Sequence, residues 1–455
     1  MNRLSNRYLI KNGYFLTMDQ ALGDFKKADM LIEDSIIVSI QEELDASDCE
    51  IVDATDMIVM PGFVDTHRHV WESLVRTIGA DWSLPTYLQN IYYGGFGSKL
   101  RPADSYAANL LGALEALNAG VTTLLDWTMI YSPEHADGLI EGLQNAGIRA
   151  VFAYGASGET EYWDRSSKKI VSDDVYRVKR QHFSSNDQLL TMGLAIRGPE
   201  FSHWDATVRE IRLARELDAI CSMHVGFGSW GPDDRSIEKL YQAGLLGPDL
   251  NMVHANTMGY DEYKMLADSG ASISITPEVE MMMGHGYPAT GLFIENGGTP
   301  TLGVDVVTST SGDMFTQMKF MLQAERARKN QNILASKSMP GELGLKAQQV
   351  LHFATLAGAK ALGLDRKVGT LTPGKEADFI MVRMTDLNLF PASDPVGAIV
   401  QFANPSNVDS VFVAGRPVKR HGQLQHVDLN HVRKIANESK EYLFSAFADT
   451  ANGVI

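Results

Sequence analysis

Between residues 62 and 366 the sequence keeps exchanging one hydrophobic period for another. "ADSYAANLLGALEALNAG" spaces its apolar residues as a helix does and stops at Gly120, and "VTTLLDW" follows as a strand. The exchange repeats in "HADGLIEGLQNAG" then "IRAVFAYG", in "WDATVREIRLARELD" then "AICSMHVG", and in "DEYKMLADSG" then "ASISITP". Repeated helix–strand alternation builds a parallel sheet, either closed as a (β/α)8 barrel or left open and doubly wound. No Gly-x-Gly-x-x-Gly follows an early strand, which weighs against the open nucleotide-binding sheet. The expectation is an α/β protein built on a (β/α)8, TIM-like barrel.

The two ends read differently. "YLIKNGYFLTMD", "ADMLIEDSIIVSI" and "EIVDATDMIVM" are short strand-like runs punctuated by Asn-Gly, Glu-Asp and Asp-Ala-Thr-Asp. "ADFIMVRM" and "VDSVFVAGRPVKRHGQ" match them near the other end, with Ala-Gly-Arg-Pro suited to a hairpin turn. A small β-sandwich built from both ends, residues 1–61 and 367–430, is therefore expected around a barrel over 62–366. "HVRKIANESKEYLFSAFADT" reads as an amphipathic helix within a terminal segment, 431–455.

A formal charge of −16 argues against nucleic acid or an anionic membrane as partner, because phosphate binding needs Lys and Arg. Two cysteines, Cys49 and Cys221, build neither a disulfide framework nor a cysteine-only zinc site, and they suit a reducing compartment. The first residues lack an uninterrupted apolar core with a small-residue cleavage site, and no apolar stretch is long enough to cross a bilayer. A soluble, cytoplasmic protein with a small-molecule substrate is expected.

Chemistry concentrates at strand ends. In "PGFVDTHRHV" the period of a strand puts His67 and His69 on one face and turns Arg68 away. Neutral imidazole is the commonest metal ligand, and barrel enzymes place their chemistry at strand C-termini. His224 ends "AICSMHVG", His254 ends "LNMVHANT" and Asp305 ends "TPTLGVDVV". A single histidine there is more often a hydrogen-bonded core residue. Four histidines and an aspartate at successive strand ends point to a metal site. "WESLVRTIGADWSLPTYLQNIYYGGFG" is a long aromatic loop expected to form one wall of the pocket, in which Trp71 and Trp82 either stack on a planar substrate or pack the loop down or against another subunit. Glu72 and Arg76, a helical turn apart, read as a surface pair, and Met281 to Met283 as core filler.

These motifs together resemble the amidohydrolase superfamily, in the branch of cytosine, guanine and adenosylhomocysteine deaminases and triazine hydrolases. The likeness rests on "PGFVDTHRHV", "NAGVTTLLDW", "ITPEVEM", "LGVD", "STSGDMFTQMK" and "ATLAGAKALGLDRKVGTLTPGKEADFIMV". It implies that His67, His69, His224 and Asp305 hold one divalent metal ion. Zinc is favoured, although iron or manganese would suit the same ligands. It also implies that Asp305 moves the proton of the attacking water, that His254 polarises the group under attack, and that the protein is a homo-oligomer. The fourth strand, "LTMGLAIRGPE", lacks the lysine that bridges two metals in binuclear members, which implies a single ion.

The activity implied is metal-dependent hydrolysis of a C–N bond, or a related C–O or C–Cl bond, in a small cyclic or aromatic molecule. Deamination with an unconventional proton donor, decarboxylation and a non-catalytic binding role are the alternatives. One departure bears on the choice: where deaminases of the branch carry His-x-x-Glu, this chain reads "HVGFG", with Phe227 at the glutamate position. Phenylalanine transfers no proton. The candidates to contact substrate and replace that acid are Glu200, Glu278, Glu280 and His285, each of which also reads as a loop or structural hydrogen-bonding residue.

Overall fold

A computed structural model describes residues 7–448. The N-terminal part supplies β1 (Arg7–Phe15), β2 (Phe25–Glu33), β3 (Ile36–Gln41), β4 (Glu50–Asp53) and β5 (Met57–Pro61). The alternating region supplies β6 (Phe63–Arg68), β7 (Val121–Trp127), β8 (Arg149–Gly155), β9 (Leu190–Ile196), β10 (Ile220–Val225), β11 (Leu250–His254), β12 (Ser272–Ile275) and β13 (Thr301–Leu302). The last strands are β14 (Phe379–Arg383), β15 (Val408–Val413), β16 (Arg416–Arg420) and β17 (Gln423–Leu424).

By contacts the chain divides into two compact units. One gathers the N-terminal residues through Asp65 with Glu115–Thr123 and Asp313–Val427; the other takes Thr66–Leu114, Leu124–Gly312 and the C-terminal helix Leu429–Ala448. Residues 313–366 thus cluster with the chain ends.

The chain ends share one nine-stranded sheet, ordered β17-β16-β15-β14-β5-β1-β2-β3 with β4 on β1. Its β14 pairs antiparallel with both β5 and β15, so the two ends of the chain are hydrogen-bonded side by side. Ile10, Phe15, Ile32, Phe379 and Phe412 are buried in its core, the last two stacked at 4.5 Å. Asn12-Gly13 does not end a strand as expected. Asn12 takes a left-handed φ of 66°, and the β1–β2 register shifts there, so β1 continues through a bulge. Ala414 and Gly415, both at positive φ, make the β15–β16 turn.

The eight strands β6 to β13 run in sequence order in the second sheet, paired in parallel between β8 and β13. The sheet closes on itself: Asp305 N donates to His67 O at 2.9 Å and His69 N to Asp305 O at 3.0 Å. Strands β7 and β8 are buried at every residue, as expected of strands covered on both faces. Helices fall between them, such as Trp204–Glu216, whose Ala206, Ile211 and Ala214 are buried. In the C-terminal helix Phe447 stacks on Phe96 at 4.1 Å. Among the described residues no helix is long and apolar enough to cross a membrane.

Candidate active site

The closing seam of the barrel sets the site. His67 lies in β6 and His69 just beyond it, both buried, while Arg68 points the other way and donates to Gly312 O. His224 comes from the C-terminal half of β10 and His254 from the last position of β11. His254 and Asp305 adopt left-handed φ values of 69° and 70°. Residues with a Cβ rarely sit there, and such strain gathers at functional sites.

The side chains converge. His67 Nε2 lies 3.1 Å from Asp305 Oδ1 and 3.2 Å from His224 Nε2, and His69 Nε2 lies 3.4 Å from the same carboxylate oxygen. One ligand atom from each of the four residues falls within 4.8 Å of all the others. A tetrahedral ion with bonds of about 2.0–2.1 Å needs ligand atoms about 3.3 Å apart, so this donor set fits a divalent metal. The protonation states agree. Burial drives His69 down to about 3 and His224 well below its ordinary range, leaving neutral imidazoles. Burial opposes ionisation of Asp305, but its hydrogen bond with the adjacent His67 outweighs this and holds it well below the carboxylate range.

Behind the cluster, His254 Nδ1 meets Thr276 Oγ1 at 3.0 Å and Glu280 Oε1 at 3.3 Å, which fixes its ring. Its Nε2 faces Asp305 Oδ2 at 3.8 Å. Burial lowers His254 to about 4 and raises Glu280 to about 8. Tyr92 Oη lies 3.3 Å from His69 Nδ1, so the tautomer that exposes the Nε2 lone pair places Nδ1–H against the phenol.

A small cavity of about 40 Å³ opens over these groups. His69, His224, His254 and Asp305 line it together with Phe227 and His285. The Phe227 ring sits 4.9 Å from that of His254 and 5.3 Å from that of His285. Four other residues expected at the substrate lie elsewhere. Trp71 is buried, with its ring 6.1 Å from Tyr92, and Trp82 packs on Gly79. Glu200 is buried and accepts from Gly226 N at 2.7 Å and Ser236 Oγ at 2.9 Å, and Glu278 accepts from Ser311 Oγ at 2.9 Å. None of the four lines the cavity.

Leu84, Tyr87, Leu88 and Tyr92, from the loop expected to wall the pocket, supply most of the apolar wall with Trp163 and Phe201, which sequence reading passed over. The phrase "LPTYLQNIYY" after Ser83-Leu84-Pro85 carried a helix-start signal, and in the helix Leu84–Ile91 the residues Leu84, Tyr87 and Leu88 share one side. The Glu72–Arg76 surface pair is a misreading. Val70–Val75 is a tight 3-10 helix buried at every residue, and Glu72 Oε1 accepts from Tyr87 Oη at 2.6 Å, with burial pushing its carboxyl far up. Of the methionine run only Met283 is core; Met281 and Met282 are exposed.

Comparison with known proteins agrees with this geometry. The Amidohydrolase family matches residues 58–418. The chain is 27% identical over 428 residues to the 5'-deoxyadenosine deaminase of Methanothermobacter thermautotrophicus, covering 91% of this chain and 94% of that one. It is 27% identical over 443 residues to the 5-methylthioadenosine/S-adenosylhomocysteine deaminase of Shouchella clausii, covering 94% and 98%. Among solved structures, an adenosine deaminase from Xanthomonas campestris with bound zinc shares the fold at TM-score 0.83 and 22% identity, covering 96% and 98%. Atrazine chlorohydrolase from Arthrobacter aurescens, complexed with zinc, does so at TM-score 0.80 and 20% identity, covering 95% and 100%. With four-fifths of its length matched by the family, and residues that could hold a metal gathered at the C-terminal ends of its strands, this chain belongs to the amidohydrolase family.

Proposed function

We propose that this protein is a metal-dependent hydrolase that uses water to break a C–N bond of a small heterocyclic molecule. The observation that carries the reading is the convergence of His67, His69, His224 and Asp305 at metal-ligand spacing beside a cavity walled by aromatic side chains. The names of the curated relatives, both deaminases, favour a ring amine over an amide or lactone. They lend nothing to a decarboxylase or a non-catalytic role.

His67, His69, His224 and Asp305 would hold one ion, zinc being favoured by the nitrogen-rich donor set. When bound, such an ion brings the acidity of water toward about 7 and polarises the bond under attack. Asp305 stays ionised at neutral pH and faces both the histidine cluster and His254, so it can take the proton of the attacking water and return it to the leaving nitrogen. In the tautomer that carries its ring proton on Nε2, His254 can bond to the charge that develops on the substrate. The apolar wall excludes bulk water, which strengthens both interactions. The reading extends to a homo-oligomer in the cytoplasm, where the free thiols Cys49 and Cys221 stay reduced.

The test is metal analysis of the purified protein together with a screen of amino-, amido- and chloro-heterocycles. Bound metal at about one ion per chain, with ammonia release lost in a strong chelator and regained with zinc, supports the reading. Metal-free protein that hydrolyses none of them overturns it.

A further inference from the structure

One polar side chain of the cavity wall makes no hydrogen bond through its ring nitrogens among the described residues, although one of them lies within 4.8 Å of ligand atoms of His254 and Asp305. Outside the histidine–aspartate cluster and His254, the polar residues lining the cavity are Tyr87, Tyr92, Trp163 and His285. Tyr87 Oη donates to Glu72, Tyr92 Oη meets His69 Nδ1, and Trp163 Nε1 donates to Ser157 O at 3.0 Å. His285 is 3% exposed, and neither of its ring nitrogens makes a hydrogen bond among the described residues. Buried polar groups are nearly always hydrogen-bonded, so an imidazole left without a bond at a cavity wall is a group kept for something that enters. Asn256, beside Gly286, likewise has both amide atoms uncommitted but does not line the cavity.

The loop holds His285 in place. It lies between Gly284 and Gly286, at φ values of 85° and 135°, and a Cβ on Gly286 would come within 2.7 Å of Thr257. The His285 carbonyl accepts from Gly228 N, which ties it to the loop carrying Phe227. Its ring packs edge-on against His254 at 4.5 Å.

We infer that His285 is the specificity-determining contact of this site, selecting a flat, uncharged heteroaromatic ring that presents a nitrogen and carries no polyol. The inference rests on the cavity being the substrate site of the proposed hydrolase. A neutral imidazole offers one N–H and one lone pair in the ring plane, which matches a ring nitrogen or a ring N–H. Around it the rings of Phe227, Phe201, Trp163 and Tyr92 suit a flat π-system. Among the described residues no lysine or arginine lines the cavity to hold an anion. Apart from Asp305, no carboxylate or amide among them lines it either, and those are the groups that would hold sugar hydroxyls.

Binding measured by tryptophan fluorescence tests this without turnover. The metal-loaded protein is titrated with quinazoline and with naphthalene, which share one outline and differ in two ring nitrogens. His285→Phe is expected to move their affinity ratio toward naphthalene by at least about tenfold, and His285→Gln, which keeps a donor and an acceptor, by less. Adenosine should bind the wild type at least about tenfold more weakly than adenine. An unmoved ratio in His285→Phe, or adenosine binding as tightly as adenine, overturns the inference. Metal content on the same samples separates the two ideas. A metal-free protein that still shows the His285-dependent ratio removes the hydrolase reading alone, whereas an active zinc protein with an unmoved ratio removes only this one.

Discussion

Replacing Glu200 with glutamine should stabilise the protein in alkali and leave its chemistry intact. Glu200 is fully buried, and its Oε1 takes both hydrogen bonds, from Gly226 N and Ser236 Oγ, while Oε2 has none. Burial raises its carboxyl from 4.5 to about 7. A group held high in the folded state stabilises most below its unfolded value and loses that contribution as pH rises through the folded one. At about 1.4 kcal/mol per tenfold change, the wild type should therefore lose about 2–3 kcal/mol from this residue between pH 5 and pH 8.5. Glutamine keeps the carbonyl that accepts both bonds and never ionises, so Glu200→Gln should show none of this loss. The assay is thermal or urea unfolding of both proteins at the two pH values with metal saturating, read as the difference between them so that other titrating groups cancel. The variant should gain about 2–3 degrees in Tm relative to wild type at pH 8.5 and about nothing at pH 5, with kcat within about twofold of wild type. An equal difference at both pH values would refute the burial reasoning. A hundredfold fall in kcat in a folded variant would show that Glu200 handles protons in the reaction.

Asp305→Asn should lower turnover by at least about 10²–10⁴-fold while circular dichroism stays unchanged, because the amide neither accepts the water's proton nor carries the ligand charge. Tyr92→Phe removes the oxygen facing His69 Nδ1 and should weaken metal retention about tenfold in a competition titration with a chelator; equal retention would show the phenol to be idle. Gly303→Ala places a methyl 2.8 Å from His67 O and 2.9 Å from Ser274 Oγ, two residues before Asp305. It should cost about 1–3 kcal/mol in unfolding experiments and loosen the metal site, whereas a variant that keeps wild-type stability would mean the seam can yield.

The chemistry was legible because it obeys local rules. Strand parity puts His67 and His69 on one face whatever surrounds them, and Asp305 and His254 stand out as titratable groups at the ends of apolar runs. Packing follows no such rule. Glu72 and Arg76 keep the spacing of a surface pair, yet the segment Val70–Val75 is wholly buried and the glutamate is bonded to a tyrosine fifteen residues on. Glu200 and His285 looked alike in sequence, polar residues near strand ends, until burial committed one to Gly226 and Ser236 and left the other facing the cavity.

The sequence by itself determined the barrel and the sheet made of both chain ends, since hydrophobic periods act over a few residues, and it put His67, His69, His224, His254 and Asp305 at strand ends, while their roles as ligands rest on the family resemblance. Only the tertiary structure decided how β13 meets β6, bringing Asp305 to within 3.1 Å of His67, and which aromatic and polar side chains face the cavity. Those choices depend on contacts between residues more than two hundred positions apart, and a linear pattern carries no record of which groups will lose their water together.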